Sequence, residues 1–522
     1  MSADGTSDNR LPRAEASFEP SHRFILGSKD YTQQYSHLYS VRLKQVTNRI
    51  RGLAVQKFGN DVPILSRIID SETKDQTRNE CIVIGTLFKE MDLRGSVLDE
   101  FKDHNGISGG VQTLHNFASK HDFLVLEDDS GRLGLGGDMI QALAPTTVTG
   151  VVVAVKGYVN EGGVFEVNGV VFPGQETTPI PSSSASSSAS SSTSSSASGM
   201  VPDKDQDTDK YLLLMSGLEM GATKRADPSS DLAAQLLMDF VAGRLGGTED
   251  VRLASRVVRV IVAGNSVTEA TVQVGKERFT GSKQQSEATL PMKQVDTLFA
   301  SALGCCPIEL MPGAFDPTNL VLPQQPLHPC LLPHSARFTS FTLATNPYEA
   351  KVDGVHVMGH AGQPVDDIAR QTIRVDGVPE SVTAEQRAEV ETAGGVQGDE
   401  PLNILRNTLR WGHLCPTAPD TLPCYPFTDH DPFVIGHDTA TPLTVLFAGN
   451  QPTFASSLET SEDGRRTLFV CVPSFRTTRQ VVLVNLRTLV AREMSFQVGL
   501  GGMDTDEGGD EEKAGAVPMA VE

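Results

Sequence analysis

Positive charge is in short supply in this chain. Only 44 Lys and Arg stand against 65 Asp and Glu in 522 residues, a formal net charge of -21 at pH 7. A protein that grips nucleic acid by general electrostatics needs clustered Lys and Arg against the phosphates, so any DNA role is expected to be indirect. Cysteine is sparse too. The seven, Cys81, Cys305, Cys306, Cys330, Cys415, Cys424 and Cys471, form no CxxC pair; a zinc ribbon is excluded, and the scattered odd set reads as reduced and intracellular. No apolar run approaches the ~18 residues of a membrane span. The opening MSADGTSDNRLPRAEASF lacks the apolar centre of a signal peptide, and no GxxxxGK[ST] phosphate loop is present. The expected setting is cytosol or nucleus, without membrane contact.

What is there divides by composition. A chain of this length at 39% hydrophobic residues can bury more than one core, roughly two to four domains' worth. Residues 1–20 are polar and read as disordered, followed by a first domain over 21–175. A linker spans 176–209, and its Ser182–Ser198 stretch holds only Ser, Ala and Thr, too little apolar surface to fold. A second domain covers 210–499, interrupted by a Gly- and Glu-rich surface loop near 376–400. The tail, 500–522, is acidic and reads as solvated.

In the first domain the periodicity is that of strands: CIVIGTLFKEM (Cys81–Met91), FLVLEDD (Phe123–Asp129), GRLGLGG (Gly131–Gly137), VTGVVVAVKGYV (Val148–Val159) and VFEVNGVVF (Val164–Phe172). Five short strands predict a small barrel of the oligonucleotide-binding (OB) type. Single-stranded DNA binding by such a barrel needs a basic groove and exposed aromatics. Here acidic residues outnumber basic ones two to one between Asp75 and Gln175, so Phe88 and Tyr158 are read as core. Ahead of the barrel, Tyr35, Leu38, Leu43 and Val46 repeat at helical spacing within Tyr31–Ile50.

The second domain alternates. YLLLMSG (Tyr211–Gly217) precedes a helix begun at Asp231, with Leu232, Leu236, Leu237, Phe240 and Leu245 near one face and Gly246-Gly247 closing it. RVVRVIVAGN (Arg256–Asn265), a helix around Val295, Leu298, Phe299 and Leu303, and IELM (Ile308–Met311) follow. A βαβαβ order with apolar strands predicts a sheet buried by helices on both faces, with any ligand site at the carboxyl ends of the strands.

The turn after the third strand, Gly313-Ala314-Phe315-Asp316, resembles the Gly-Asn-His-Asp turn of calcineurin-like phosphoesterases with its metal ligands removed. A methyl and a phenyl group offer no lone pair to a cation. The resemblance implies Asp-x-His at the first strand end, where Gly217-Leu218-Glu219 stands. It implies Gly-Asp at the second, where Gly264-Asn265 stands, and Gly-His-x-His at the last, where Gly449-Asn450-Gln451-Pro452 stands. A two-metal site needs roughly six to eight converging ligands; Glu219, Asn265 and Asn450 would supply only scattered oxygens. Gly217, Glu219, Asn265, Ala314, Phe315, Asn450 and Pro452 are therefore read as degenerate positions, with no catalytic, cofactor or metal role.

Three further candidates have structural readings. Asp316 in a Phe-Asp-Pro-Thr-Asn run is expected to cap its turn. His328, between Leu327 and Pro329, reads as a packed histidine. His413 and Cys415 could form a nucleophile pair, but no oxyanion turn accompanies them, and the Leu402, Leu405, Leu409 spacing makes Trp411 a core residue at a helix end.

The stretches RFILGSKDYTQQYSHLYSVRL (Arg23–Leu43), MPGAFDPTNLVLPQQPLHPCLLP (Met311–Pro333), TNPY (Thr345–Tyr348) and HLCPTAPDTLPCYPF (His413–Phe427) resemble the B-type accessory subunits of DNA polymerases alpha, delta and epsilon, most nearly those of DNA polymerase delta. The resemblance implies an α/β and β fold: an OB-type β-barrel plus an inactivated calcineurin-like phosphoesterase domain, a mixed sheet sandwich with helices. It implies no cofactor and a non-catalytic scaffold in the nucleus. The partners implied are the cysteine-rich C-terminal domain of the catalytic subunit and a third subunit that reaches the sliding clamp, with DNA met only indirectly. The competing readings are an active metal-dependent phosphodiesterase or exonuclease and a single-stranded DNA-binding OB protein.

Overall fold

A computed structural model describes residues 11–27, 30, 32–72, 79–94, 116–174, 209–221, 228–269, 282–373, 400–436, 441–461 and 463–497. The serine tract, nearly all of the 376–400 stretch and the acidic tail lie outside these residues; Glu400 opens a helix instead.

The chain enters through a three-residue strand β1 (Phe18–Pro20) and a long helix α1 (Ser36–Phe58). The first of these corrects an expectation. The segment ahead of Pro20 pairs antiparallel with a strand near residue 350, Phe18 opposite Val352, and Ala14 N donates to Ser255 O at 2.8 Å, because polar side chains do not stop a backbone from completing an open sheet edge. Helix α1 also runs eight residues past Ile50. Val46, Ile50 and Ala54 recur on one face and are buried against Ile82, Val152, Ala154 and Val171, about 1–3 kcal/mol for each larger side chain.

Strands β2 (Cys81–Glu90), β3 (Phe123–Glu127) and β4 (Arg132–Gly136) follow, then helix α2 (Asp138–Leu143), β5 (Val152–Val159) and β6 (Phe165–Val171). They close a barrel in the order β2-β3-β4-β6-β5. Leu87, Val153, Val155 and Phe165 fill it. Phe88 and Tyr158 do not: both are half-buried on the outer wall, where the period-two pleat turns them away from Leu87 and Val159. Arg132 stacks over the Phe88 ring at 5.2 Å.

The second body is a sandwich of two sheets. Its first sheet uses β7 (Tyr211–Met215), β8 (Val257–Ala263), β9 (Ile308–Met311) and β10 (Phe341–Leu343), with β16 (Gln480–Asn485) and β17 (Ala491–Ser495), in the order β10-β9-β8-β7-β16-β17. The parallel strands are joined by helices α3 (Pro228–Val241), α4 (Thr248–Arg256) and α5 (Ser282–Leu303). The second sheet, β1-β11-β12-β13-β15-β14, adds β11 (Tyr348–Val352), β12 (Val355–His360), β13 (Val445–Gln451), β14 (Ala455–Thr460) and β15 (Arg466–Pro473). Helices α6 (Gln363–Ala369), α7 (Glu400–Arg410) and the short α8 (Phe475–Thr478) complete the chain.

Among the described residues, helices cover one face of the first sheet. Leu213, Met215, Val260 and Val262 meet Leu237, Phe240, Val295 and Phe299, while Leu212, Leu214, Ile261 and Ala263 meet Val357, Val445, Phe447 and Val470 of the second sheet. A strand apolar on both sides demands burial on both sides without specifying whether a helix or a sheet supplies it. The helix read from Asp231 begins earlier, at Pro228, and stops at Val241; Leu232 is 48% exposed. Gly247 instead opens α4, whose Asp250 carboxylate accepts the Gly247 N–H at 2.8 Å. The outer face of the second sheet, Met358, Leu446, Phe469 and Cys471, packs on α6 and α7 and shares one continuous core with the barrel.

Candidate functional site at the converging strand ends

The carboxyl ends of β7, β8, β9 and β13 meet between the two sheets, and glycine lets their backbones touch. A Cβ on Gly313 would stand 2.3 Å from Asn265 N, one on Gly264 would stand 2.7 Å from Gly313 Cα, and one on Gly449 would stand 2.7 Å from Ala263 O. None of these approaches admits a side chain. Three of the four turns, those after β7, β8 and β13, also pass through the left-handed region at a non-glycine residue, with φ of 46° at Glu219, 53° at Asn265 and 56° at Asn450; such strain survives where surrounding structure over-determines it.

Amide and hydroxyl side chains then bond the turns together. Asn450 Nδ2 donates to Ala263 O at 3.1 Å and to Ala361 O at 2.8 Å, and Asn450 N donates to Ser216 Oγ at 2.8 Å. Asn265 Oδ1 accepts from Phe315 N at 3.3 Å. Asp316, 2% exposed, accepts from Ser266 N at 2.8 Å, Val267 N at 3.3 Å and Gly313 N at 2.8 Å. Burial raises its carboxyl to about 6 against the pull of those amides. A second layer, unread in the sequence, holds the same turns: Gln324 Nε2 donates to Gly313 O at 3.1 Å, Asn346 Nδ2 donates to Gln324 Oε1 at 2.8 Å, and Ala361 N donates to Asn346 Oδ1 at 3.0 Å.

The structure thus brings together Gly217, Gly264, Asn265, Gly313, Asp316 and Asn450. Ala314 and Phe315 are half-buried, Glu219 is half-buried with its carboxyl raised by burial, and Pro452 is exposed. Among the described residues no group of three or more His, Cys, Asp and Glu is arranged to hold a metal ion. The neighbouring His360 is fully buried. Its Nδ1 accepts from Gly362 N at 3.1 Å, and burial holds the ring neutral with a pKa of about 3.

His413 and Cys415 do not form a nucleophile pair. His413 Nδ1 accepts the Cys415 backbone N–H at 3.1 Å and its Nε2 bonds Asp431 Oδ2 at 3.0 Å. Burial pushes the Cys415 thiol well above its ordinary range, the opposite of what a thiolate nucleophile needs. Trp411 is core, 2% exposed, directly after α7. His328 is not packed but exposed, and its ring accepts from Cys330 N at 3.2 Å.

Two family models match this chain: the OB-fold domain of DNA polymerase delta subunits over residues 34–170, and the B-type subunit of DNA polymerases alpha and epsilon over 212–456. The DNA polymerase delta small subunit of Arabidopsis thaliana is 35% identical over 479 residues, 91% of this chain and 94% of that protein. That of Oryza sativa subsp. japonica is 33% identical over 480 residues, 90% and 95% of the two chains, and DNA polymerase delta subunit 2 of Drosophila melanogaster is 33% identical over 498, 93% and 99%. The chain belongs to the DNA polymerase delta small-subunit family.

The stretches that resemble this family meet in space. Arg42, 1% exposed on α1, spans Asp431, with Nε to Oδ2 at 2.8 Å, and the carbonyls of Gly150 at 3.1 Å, Pro416 at 2.8 Å and Ala418 at 2.6 Å. Asp431 is held far below the usual carboxylate range, its burial overcome by His413 and Arg42. Gln325 bonds both sides of the N-terminal segment, Nε2 to Phe24 O and Oε1 from Leu26 N, each at 3.0 Å. Leu322 N donates to Pro423 O at 2.9 Å, and Tyr425 N returns to Leu322 O at 2.8 Å. Two of these contacts, at Arg42 and at Gln325, join the segment and helix ahead of the barrel to the sandwich, while the Leu322 pair ties two stretches within the sandwich. Lys89 adds another, buried between Asp122 at 3.3 Å and Gln371 O at 2.7 Å.

Proposed function

We infer that the chain is a non-catalytic accessory subunit of DNA polymerase delta, a folded body that joins other subunits of a replicative polymerase in the nucleus. Membership of the small-subunit family over nine-tenths of the chain carries this reading. In it, the sandwich is a calcineurin-like phosphoesterase body whose strand ends have become a seam. Gly217, Ala314, Phe315 and Pro452 stand at ligand positions and offer no side-chain donor atom; Asn265 Oδ1 accepts the Phe315 N–H and Asn450 Nδ2 donates to two backbone carbonyls, which leaves Asn450 Oδ1 as a single buried oxygen without a hydrogen-bond partner. A metal pair needs roughly twice the donors that remain.

The cysteine-rich C-terminal domain of the catalytic subunit docks on one surface and a third subunit on another, the latter reaching the sliding clamp. An acidic body, net charge -21, suits basic protein surfaces better than DNA. No helix of the described residues is long and apolar enough to cross a membrane.

Purified chain incubated with manganese, zinc or iron should retain less than stoichiometric metal after desalting and should hydrolyse neither phosphodiesters nor DNA ends. Two tightly held ions per chain, with hydrolysis lost in Asn265→Ala, would overturn the reading.

A further inference from the structure

Helix α1 departs from the charge balance of the chain. Its 23 residues include Arg42, Lys44, Arg49, Arg51 and Lys57 and no Asp or Glu, although the chain as a whole carries a net charge of -21. The cations are placed differently. Arg42 is buried and spent on Asp431. Arg49 and Lys57 bond the carbonyls of Ile435 at 2.9 Å and Val170 at 3.1 Å. Lys44 and Arg51 are exposed, and neither forms an ion pair among the described residues.

Their spacing makes a stripe. His37, Lys44, Asn48 and Arg51 are all exposed, and steps of seven, four and three residues put them on one face of the helix. That face lies opposite Val46, Ile50 and Ala54, which are buried against the barrel. No large apolar side chain of α1 stands exposed. A protein interface is anchored by desolvated aromatic or other large groups, and a helix lying on a membrane needs an apolar face turned outward; this stripe has neither. It has two cations and an amide, the side chains that meet phosphate and sugar oxygens. Lys and Arg gathered along one helix are the electrostatic footprint of a nucleic-acid contact. The acidic surplus elsewhere does not cancel it, because at physiological salt charges more than about 8 Å apart are largely screened.

We propose that the outer stripe of α1 contacts the phosphate backbone of duplex DNA without reading its sequence. Lys44 and Arg51, about 10 Å apart along the axis, each release a condensed counterion, and Asn48 donates between them. The stripe carries no ring on which an unpaired base could stack, which is what single-strand binding uses. Two phosphate contacts give weak binding, with Kd on the order of 10⁻⁴ M at physiological salt. In a polymerase complex already seated on DNA, tethering raises the effective concentration enough for such a contact to count. The inference goes beyond the accessory-subunit reading by giving this body a direct DNA contact of its own.

The test is fluorescence anisotropy of a labelled duplex, and separately of one of its strands, titrated with the full chain at several KCl concentrations. Wild type should bind the duplex at low salt, at least as tightly as the single strand. The double variant Lys44→Glu with Arg51→Glu should weaken duplex binding at least tenfold and make the slope of log affinity against log salt shallower by about 2. Lys44→Arg with Arg51→Lys should keep both affinity and slope, and the melting temperature should stay unchanged in every variant, since the altered side chains are exposed. Absence of duplex binding by wild type, an unchanged slope in the Glu pair, or single strand bound tenfold more tightly than duplex would overturn the proposal. So would loss of another subunit from the assembled polymerase with duplex binding intact, which would make the stripe a protein interface. Failure of the wild-type chain to assemble with other subunits would instead count against the accessory-subunit reading.

Discussion

At the scale of single residues, the strand ends show side chains holding neighbouring backbone in place. Asp316 caps its turn, as a carboxylate in that run is expected to, but the amides it takes come from two different turns, Gly313 and Ser266-Val267. Asp316→Ala would leave three buried N–H groups unpaired, and at about 1–3 kcal/mol for each the variant should lose at least about 3 kcal/mol in urea unfolding; a loss under about 1 kcal/mol would contradict the assignment. Phe315 is a different matter: it is half-buried and belongs to no described core cluster, so a charge placed there is not a core lesion. Titration reports on two buried sites, the strand ends and the Arg42 joint. His360 and His413 are buried and neutral, with pKa values lowered to about 3 and about 4. Below pH 6.5 the unfolded chain binds protons that these rings refuse, so stability should fall as pH drops from about 6.5 to 4, by up to about 1.4 kcal/mol per pH unit for each ring. Asp316, raised to about 6, works the other way: its ionisation costs stability as pH rises from about 4 to 6. His360→Gln should make the acid limb shallower, measured as unfolding free energy at pH 5 and 7; an unchanged slope would show that the ring is protonated in the folded state.

At the scale of elements, the joints matter more than the elements themselves. The five barrel strands were legible because turn residues and β-branched runs alternate at short range. The helix α4 was not, since TEDVRLASR is only nine residues long and fully buries only Ala254, with Leu253 partly buried beside it, too short an apolar stretch to stand out. Nor could Leu212 and Leu213, both fully buried, announce that one faces a sheet and the other a helix. The strand ends were legible as motif positions, while Gln324 and Asn346, which bond them, sit outside those positions in sequence and carry no local pattern. The joint with the largest expected effect is Arg42. Arg42→Met removes the guanidinium from Asp431 and from three carbonyls in a buried site, a loss of about 3–5 kcal/mol. Arg132→Ala, breaking a pair whose arginine is 63% exposed, should cost well under about 1 kcal/mol. Equal effects in denaturant melts would contradict the idea that α1 locks the barrel to the sandwich.

At the scale of the whole molecule, a barrel and a two-sheet sandwich share one core across their boundary, and the positions where chemistry would sit are filled with backbone contacts. Such a body has surfaces to offer and no clustered ligands among its described residues. On the function proposed above, the use of such a body is binding. Native mass measurement of the full-length chain co-expressed with the catalytic subunit of DNA polymerase delta tests this most directly. The account predicts a one-to-one complex that persists through size exclusion and ion exchange; recovery of the two chains as separate species would contradict it.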